Sequence, residues 1–174
     1  MALRESMTTR VVLGLDPGPR LTGYGVLFSA GGTAQPKYLR AGVVESKGAE
    51  IVDLIRYWIG QGYTAPFYVA VETPAGYIHE AARASALLET AKVAGMIAEA
   101  ARGLGVDVVS IPAARWRLTL CGKNNPKDAT VKRAISVVVS GLPKRTNVHE
   151  RDALGCAYAA LQMQFGARVA PTGT

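Results

Sequence analysis

The sequence predicts a single α/β domain. Its core is a mixed five-stranded sheet, three antiparallel strands plus two parallel ones, flanked by helices on both faces. Two observations carry this. Three extended segments separated by turns come first, and helical and extended segments then alternate. That order calls for hairpins on one side of a sheet and crossovers on the other. In addition, the runs VVLGLD and FYVAVE are continuously apolar, as strands covered on both faces must be.

Taken in order, residues 11–16 form the first strand. Residues 23–29 form the second, and the short turn from Pro17 to Leu21 makes the pair an antiparallel hairpin. A third strand covers 37–45. Over 49–60, Ile51, Leu54, Ile55 and Trp58 recur with helical period. Pro66 introduces the strand 67–72, and an Ala-rich helix over 79–102 stops at Gly103 and Gly105. Residues 106–111 make the fifth strand. Helices follow over 112–120, 127–139 and 147–165, with Gly141 and Pro143 breaking the chain between the last two. Residues 1–10 and 166–174 read as tails, leaving 11–165 as the domain.

The net charge of +7 lies in one place. Residues 115–151 hold nine Lys or Arg and two acids, while the rest of the chain balances. Such a concentration is the footprint of a protein that meets a polyanion, most often nucleic acid. The competing reading is a solvated basic surface. Cys121 and Cys156 stand in no metal spacing and read as reduced structural thiols of a cytosolic protein. No apolar run is long enough for a membrane span, and the N-terminus lacks a secretory pattern.

Asp16 and Glu72 share a setting. Each ends an apolar strand and is followed closely by Pro and Gly, in D-P-G and E-T-P-A-G. In a sheet with parallel neighbours, the carboxyl ends of strands face a common crevice. Two carboxylates there repel unless a cation separates them, and hard oxygen donors suit magnesium or manganese. Taken singly, each acid is also explained as a turn or strand-end residue. Asn147 and Glu150 form a capping box, which gives Glu150 a local task. His149 and Asp152 share a face of the same helix start and can bring an imidazole and a carboxylate to the crevice. The plainer alternatives are a satisfied histidine and an acid favouring a helix N-terminus.

These motifs resemble those of RuvC-type Holliday junction resolvases, members of the RNase H-like superfamily. LGLDPGPRLTGYGV is similar to the family's first motif, VAVETPAG to its second and HERDALGCAYAA to its last, in order across about 11–165. The resemblance implies an RNase H-like fold in which Asp16, Glu72 and Asp152 bind metal. It places a further acid where this chain has His149, a residue able to ligate metal or activate water. Arg117 and Lys127, with Lys123 and Lys132 as neighbours, match the family's basic DNA contacts. Tyr77 is nearest to an aromatic inserted at the junction centre, after a longer spacer.

The chemistry implied is hydrolysis of phosphodiester bonds at four-way or other branched DNA. Two Mg2+ (or Mn2+) ions about 4 Å apart would be bridged by Asp16. The resemblance also implies 5′-phosphate nicks and a homodimer, with a branch-migration motor as an optional partner. The location would be the cytoplasm, nucleoid-associated in a bacterium, or the host cytoplasm for a phage. The dimer face would be the helix over 79–102, where Ala81, Ala82, Ala84, Ala86, Ala91, Ala94 and Gly95 permit close approach and Leu87 and Leu88 add apolar area. Packing of the same residues on the chain's own sheet is the alternative. Three rivals share parts of the pattern. One is an RNase H-like nuclease for RNA–DNA hybrids or flaps, and another a non-catalytic nucleic-acid-binding pseudonuclease. The third is a sugar-kinase-like or actin-like ATP-binding protein, which needs two such domains.

Overall fold

The computed structural model describes residues 9–31, 35–63, 65–74 and 81–165. Strands β1 (Arg10–Asp16), β2 (Leu21–Ser29) and β3 (Lys37–Glu45) form an antiparallel meander. Next come α1 (Gly48–Ile59), β4 (Phe67–Thr73), α2 (Ala81–Gly103) and β5 (Asp107–Pro112). The last three elements are α3 (Ala113–Cys121), α4 (Asp128–Val138) and α5 (Val148–Phe165). The sheet order is β3-β2-β1-β4-β5, with β4 parallel to both β1 and β5. This is the mixed sheet that the element order predicts.

Three strand starts differ from expectation, β5 by a single residue, at Asp107, where pairing with Tyr68 begins. Arg10, expected in the tail, opens β1 because it pairs with Ser29. β2 begins at Leu21 rather than Gly23 because β3 extends far enough to pair Leu21 with Glu45 and Thr22 with Val44. The Ser46 hydroxyl then donates to Gly18 O at 2.6 Å and lies 2.8 Å from Thr22 Oγ1, tying the β1–β2 turn to the end of β3. The expected tails are otherwise outside the described residues, as is His79, where the long helix was expected to begin.

The two faces of the sheet carry side chains of different size. Val11, Leu13, Leu15, Val26, Val69 and Val71 meet α1 and α2 on one face, with Ile51, Ile55 and Ile97. The alternation of strand side chains puts Val12, Gly14 and Asp16 on the other face. There Gly14 is opposite Gly25 and beside Ala70, and Asp16 is opposite Gly23. Small residues on three adjacent strands thus make a shelf, and α5 lies directly on it. A Cβ on Gly14 would come 2.0 Å from Ala153 O, one on Gly23 2.4 Å from His149 O, and one on Gly25 2.6 Å from Leu154 Cγ. α5 answers with its own small face of Ala153, Ala157 and Ala160, all fully buried. The expected buried residues Leu154, Ala157 and Leu161 lie in this second core, beside Trp116 and Ile135.

The shelf predicts a sharp intolerance. Gly14→Ala meets backbone oxygen rather than a movable side chain, so α5 must retreat. We expect a loss of about 3 kcal/mol or more in chemical denaturation, at the upper end of overpacking effects. A loss under about 1 kcal/mol would show that α5 can shift freely.

Candidate active site

The shelf leads to the site, because the α5 backbone that sits on Gly23 belongs to His149. The turn before the helix is shaped by the capping box. Glu150 N–H donates to Asn147 Oδ1 at 2.9 Å, and Asn147 N–H donates to Glu150 Oε2 at 2.8 Å. Glu150 therefore has the local task expected of it, and His149 and Asp152 are left facing the sheet edge. His149 Nδ1 lies 2.9 Å from Asp16 Oδ2. A carboxylate only accepts, so the bond places a proton on Nδ1 and leaves Nε2 as the basic nitrogen of the neutral ring.

Glu72 arrives from the neighbouring strand. β1 and β4 pair in register through Leu15 and Val71, so the next residues, Asp16 and Glu72, leave the sheet side by side. Glu72 Oε2 accepts a 2.6 Å hydrogen bond from Trp116 Nε1, one turn into α3. Asp152 Oδ2 is 3.4 Å from Arg117 Nη2, and that guanidinium also stacks over the Trp116 ring at 5.0 Å. Each carboxylate thus has its own donor: imidazole for Asp16, indole for Glu72, guanidinium for Asp152.

The cluster is electrostatically uncomfortable. Burial, and then the charge of Asp16, push Glu72 up from 4.5 to about 7, against the opposing pull of the Trp116 hydrogen bond. Burial and Asp16 likewise raise Asp152 from 3.8 to about 6, with Arg117 opposing. Cys156 lies under the cluster, fully buried. Burial first, and then the charges of Glu72 and Asp16, push its thiol well up. Neither cysteine is in a disulfide, and both remain structural thiols.

Three hard carboxylates and an imidazole form a donor set suited to a divalent cation, and the mutual repulsion of the carboxylates is what such a cation relieves. Among the described residues, no three such side chains are already drawn together around one point. The separate donors account for this, since Trp116, Arg117 and His149 each engage an oxygen that an ion would recruit.

Sequence reasoning nominated all four residues of this cluster. It did not find Trp116, and it assigned Arg117 to DNA alone. The available signal was the position of R-W-R just after β5, whose carboxyl end lies on the same edge. Lys123, Lys127 and Lys132 are exposed along the turn after α3 and on α4. That turn begins at Gly122, the left-handed residue (φ 68°) that closes α3. Lys132, with Arg133 and Lys144, lines the cavity of about 680 Å3 between α4 and the segment leading to α5. This cavity contains none of the carboxylates. Beside the chemistry lies a smaller one of about 310 Å3, walled by Gly18, Pro19, Arg20, Leu21 and His149. Tyr77 lies outside the described residues. On α2, Ala86, Leu88, Ala91 and Gly95 are exposed, whereas Ala94, expected with them, packs into the chain's own core beside Ile97.

A mixed sheet with acids at the ends of its two central strands and on a returning helix defines the class: a metal-dependent nuclease of RNase H-like fold. The chain belongs to the family of the crossover junction endodeoxyribonuclease RuvC, whose model matches residues 12–160. The family's nucleases depend on divalent cations. The crossover junction endodeoxyribonuclease RuvC of Methylococcus capsulatus is 30% identical over 156 residues, covering 86% of this chain and 89% of its own. That of Hahella chejuensis is 27% identical over 154 residues, 88% of each. Among solved structures, Thermus thermophilus RuvC in complex with Holliday junction substrate superimposes with a TM-score of 0.72. It shares 22% identity over 91% of this chain and 94% of that one. The fowlpox virus resolvase in its Holliday junction complex gives 0.53, with 10% identity over 87% and 98%. No helix of the described residues is long and apolar enough to cross a membrane.

The raised carboxylates set a pH dependence for the metal-free protein. The native state holds protons that the unfolded chain releases near pH 4. Stability is therefore fully present below that pH and is lost as pH rises through about 6 to 7. We expect the metal-free melting temperature to fall across this window and a divalent cation to restore it above pH 7. Asp16→Asn leaves the burial that is the larger cause of both shifts but removes the charge that adds to it, and should make the metal-free profile shallower. A flat wild-type profile would contradict the clustering.

Proposed function

We propose that the chain resolves four-way DNA junctions by paired symmetric nicks, as a homodimer acting in the cytoplasm. The observation that carries this reading is the placement of Asp16 and Glu72 side by side at the carboxyl ends of β1 and β4, with His149 against Asp16 and Asp152 near enough to feel its charge, within a chain of this family. Mg2+ or Mn2+, two ions in each site, would be held by Asp16, Glu72 and Asp152 with His149 as a further donor. When bound, they supply Lewis acidity at the scissile phosphate and an acidified water.

The chain's own groups divide the remaining work. The Asp16 contact orients the His149 ring, so Nε2 can take the proton of the attacking water or serve as a ligand. The Trp116 N–H holds the Glu72 carboxylate in one rotamer. Arg117 offsets part of the negative charge that would otherwise repel a phosphodiester. Lys123, Lys127 and Lys132 seat backbone phosphates without reading bases, which suits a substrate recognised by shape. Tyr77 is assigned to the junction centre on resemblance alone.

A four-way junction has near two-fold symmetry, and one site cuts one strand. A C2 dimer therefore matches protein symmetry to DNA symmetry. The exposed Ala86, Leu88, Ala91 and Gly95 on α2 support an interface there. A branch-migration motor is a further partner under the same reading.

The decisive experiment compares a mobile four-way junction with linear duplex, flap and RNA–DNA hybrid, with and without magnesium. We expect selective, magnesium-dependent, paired nicking of the junction. Asp16→Asn should lose cleavage by several orders of magnitude yet still bind the junction without metal. Preference for the hybrid or flap would move the chain to a different substrate.

The basic residues should separate in their salt dependence. Lys127→Gln should lower the slope of log affinity against log salt by about 0.9, one phosphate contact. Arg117→Gln should mainly slow cleavage, because this guanidinium also neutralises Asp152. Equal wild-type slopes and rates in both variants would return them to ordinary surface residues.

A further inference from the structure

Arg151 is a charged residue in the buried set, only 7% exposed, and it stands between His149 and Asp152 in the sequence of α5. Its Nη1 donates to Thr146 O in the segment entering α5. Its Nη2 donates to Asp128 Oδ1 at 2.6 Å. Its Nε is buried with no hydrogen-bond partner among the described residues. A buried guanidinium with an unmet N–H is costly, and an apolar side chain would fill the same space at less expense. Stability alone does not account for it.

The geometry supplies another account. Asp128 is the first residue of α4, and the residue before it is Lys127, whose carbonyl accepts the opening N–H groups of Thr130 and Val131. The ion pair therefore joins two helix starts. One carries the lysines assigned to DNA, and the other carries His149 and Asp152.

We infer that the Arg151–Asp128 ion pair is a positioning link that fixes the DNA-seating start of α4 against the metal-holding start of α5. A phosphate seated at Lys127 then stands at a set distance from the carboxylates. Neither partner touches substrate, so both are positioning residues. The inference rests on the functional reading above.

The test uses the full chain, with junction binding and single-turnover cleavage at saturating metal measured separately. Asp128→Ala should bind the junction with the wild-type salt slope but cleave about tenfold more slowly or worse, the scale of effect produced by small misplacements. Asp128→Asn keeps an acceptor for Nη2 and should recover most of the rate. Both changes remove the same charge from the helix start, so a simple helix-dipole role would make them alike. Arg151→Met should match Asp128→Ala, and the double variant should be no worse than either, the non-additivity expected of one shared contact. Should Arg151→Met fail to fold, the Asp128 pair decides, because that side chain is 60% exposed.

Wild-type cleavage by Asp128→Ala, or an Asn variant as slow as the Ala variant, overturns the link and leaves the functional reading standing. A wild-type chain that does not cleave junctions overturns both.

Discussion

The close seating of α5 on Gly14, Gly23 and Gly25 is the constraint on which the rest depends. A helix usually stands off a sheet by the depth of two side-chain layers. Here helix backbone meets strand backbone, and the residues that would have filled the gap are absent. The approach places the first turn of α5 within hydrogen-bonding reach of the end of β1. His149 touches Asp16 because the carbonyl of His149 rests where a Gly23 side chain would otherwise be. The same strands carry their bulk on the opposite face, where Leu13, Leu15 and Val26 pack against α1 and α2. One set of strands thus supplies a conventional core on one side and a thin, rigid mount on the other.

That mount holds like charges together. Burial raises the proton affinity of both Glu72 and Asp152, and the charge of Asp16 adds to the effect. The fold therefore stores unfavourable electrostatics at the site and offsets it elsewhere, through two large apolar clusters and through Trp116, Arg117 and His149. The arrangement is preorganised in the sense relevant to catalysis. The groups proposed to act on a phosphodiester are held in place by Trp116, Arg117 and His149, so little reorganisation would remain for a reaction there.

The sheet order and the placement of acids at the strand ends were legible in the sequence because each has a local signature. An apolar run that stops on an acid, or an Asn with a Glu three residues later, announces itself within a few positions. Contacts between elements distant in sequence were not legible in the same way. Trp116 reaches Glu72 across 44 positions of chain, and Arg151 reaches Asp128 across 23. Both depend on how helices lean against the sheet, which periodicity does not specify. Ala94 shows the same limit. Composition offered its small residues together as one dimer face, whereas the division between core and surface follows the rotation of α2 about its axis. The glycines of T-G-Y-G-V stand in plain view in the sequence, yet only the packing of α5 gives their spacing a purpose.

Cys156 gives the site a further property. Its sulfur lies beneath three carboxylates and is held in the protonated form by burial and by their charge. The layer directly beneath the carboxylates and the imidazole is therefore uncharged, and it is closed to solvent, since no part of Cys156 is exposed. Whatever approaches the cleft meets oxygen and nitrogen first, and the sulfur acts on it only through the low polarity it lends to the ground under the acids.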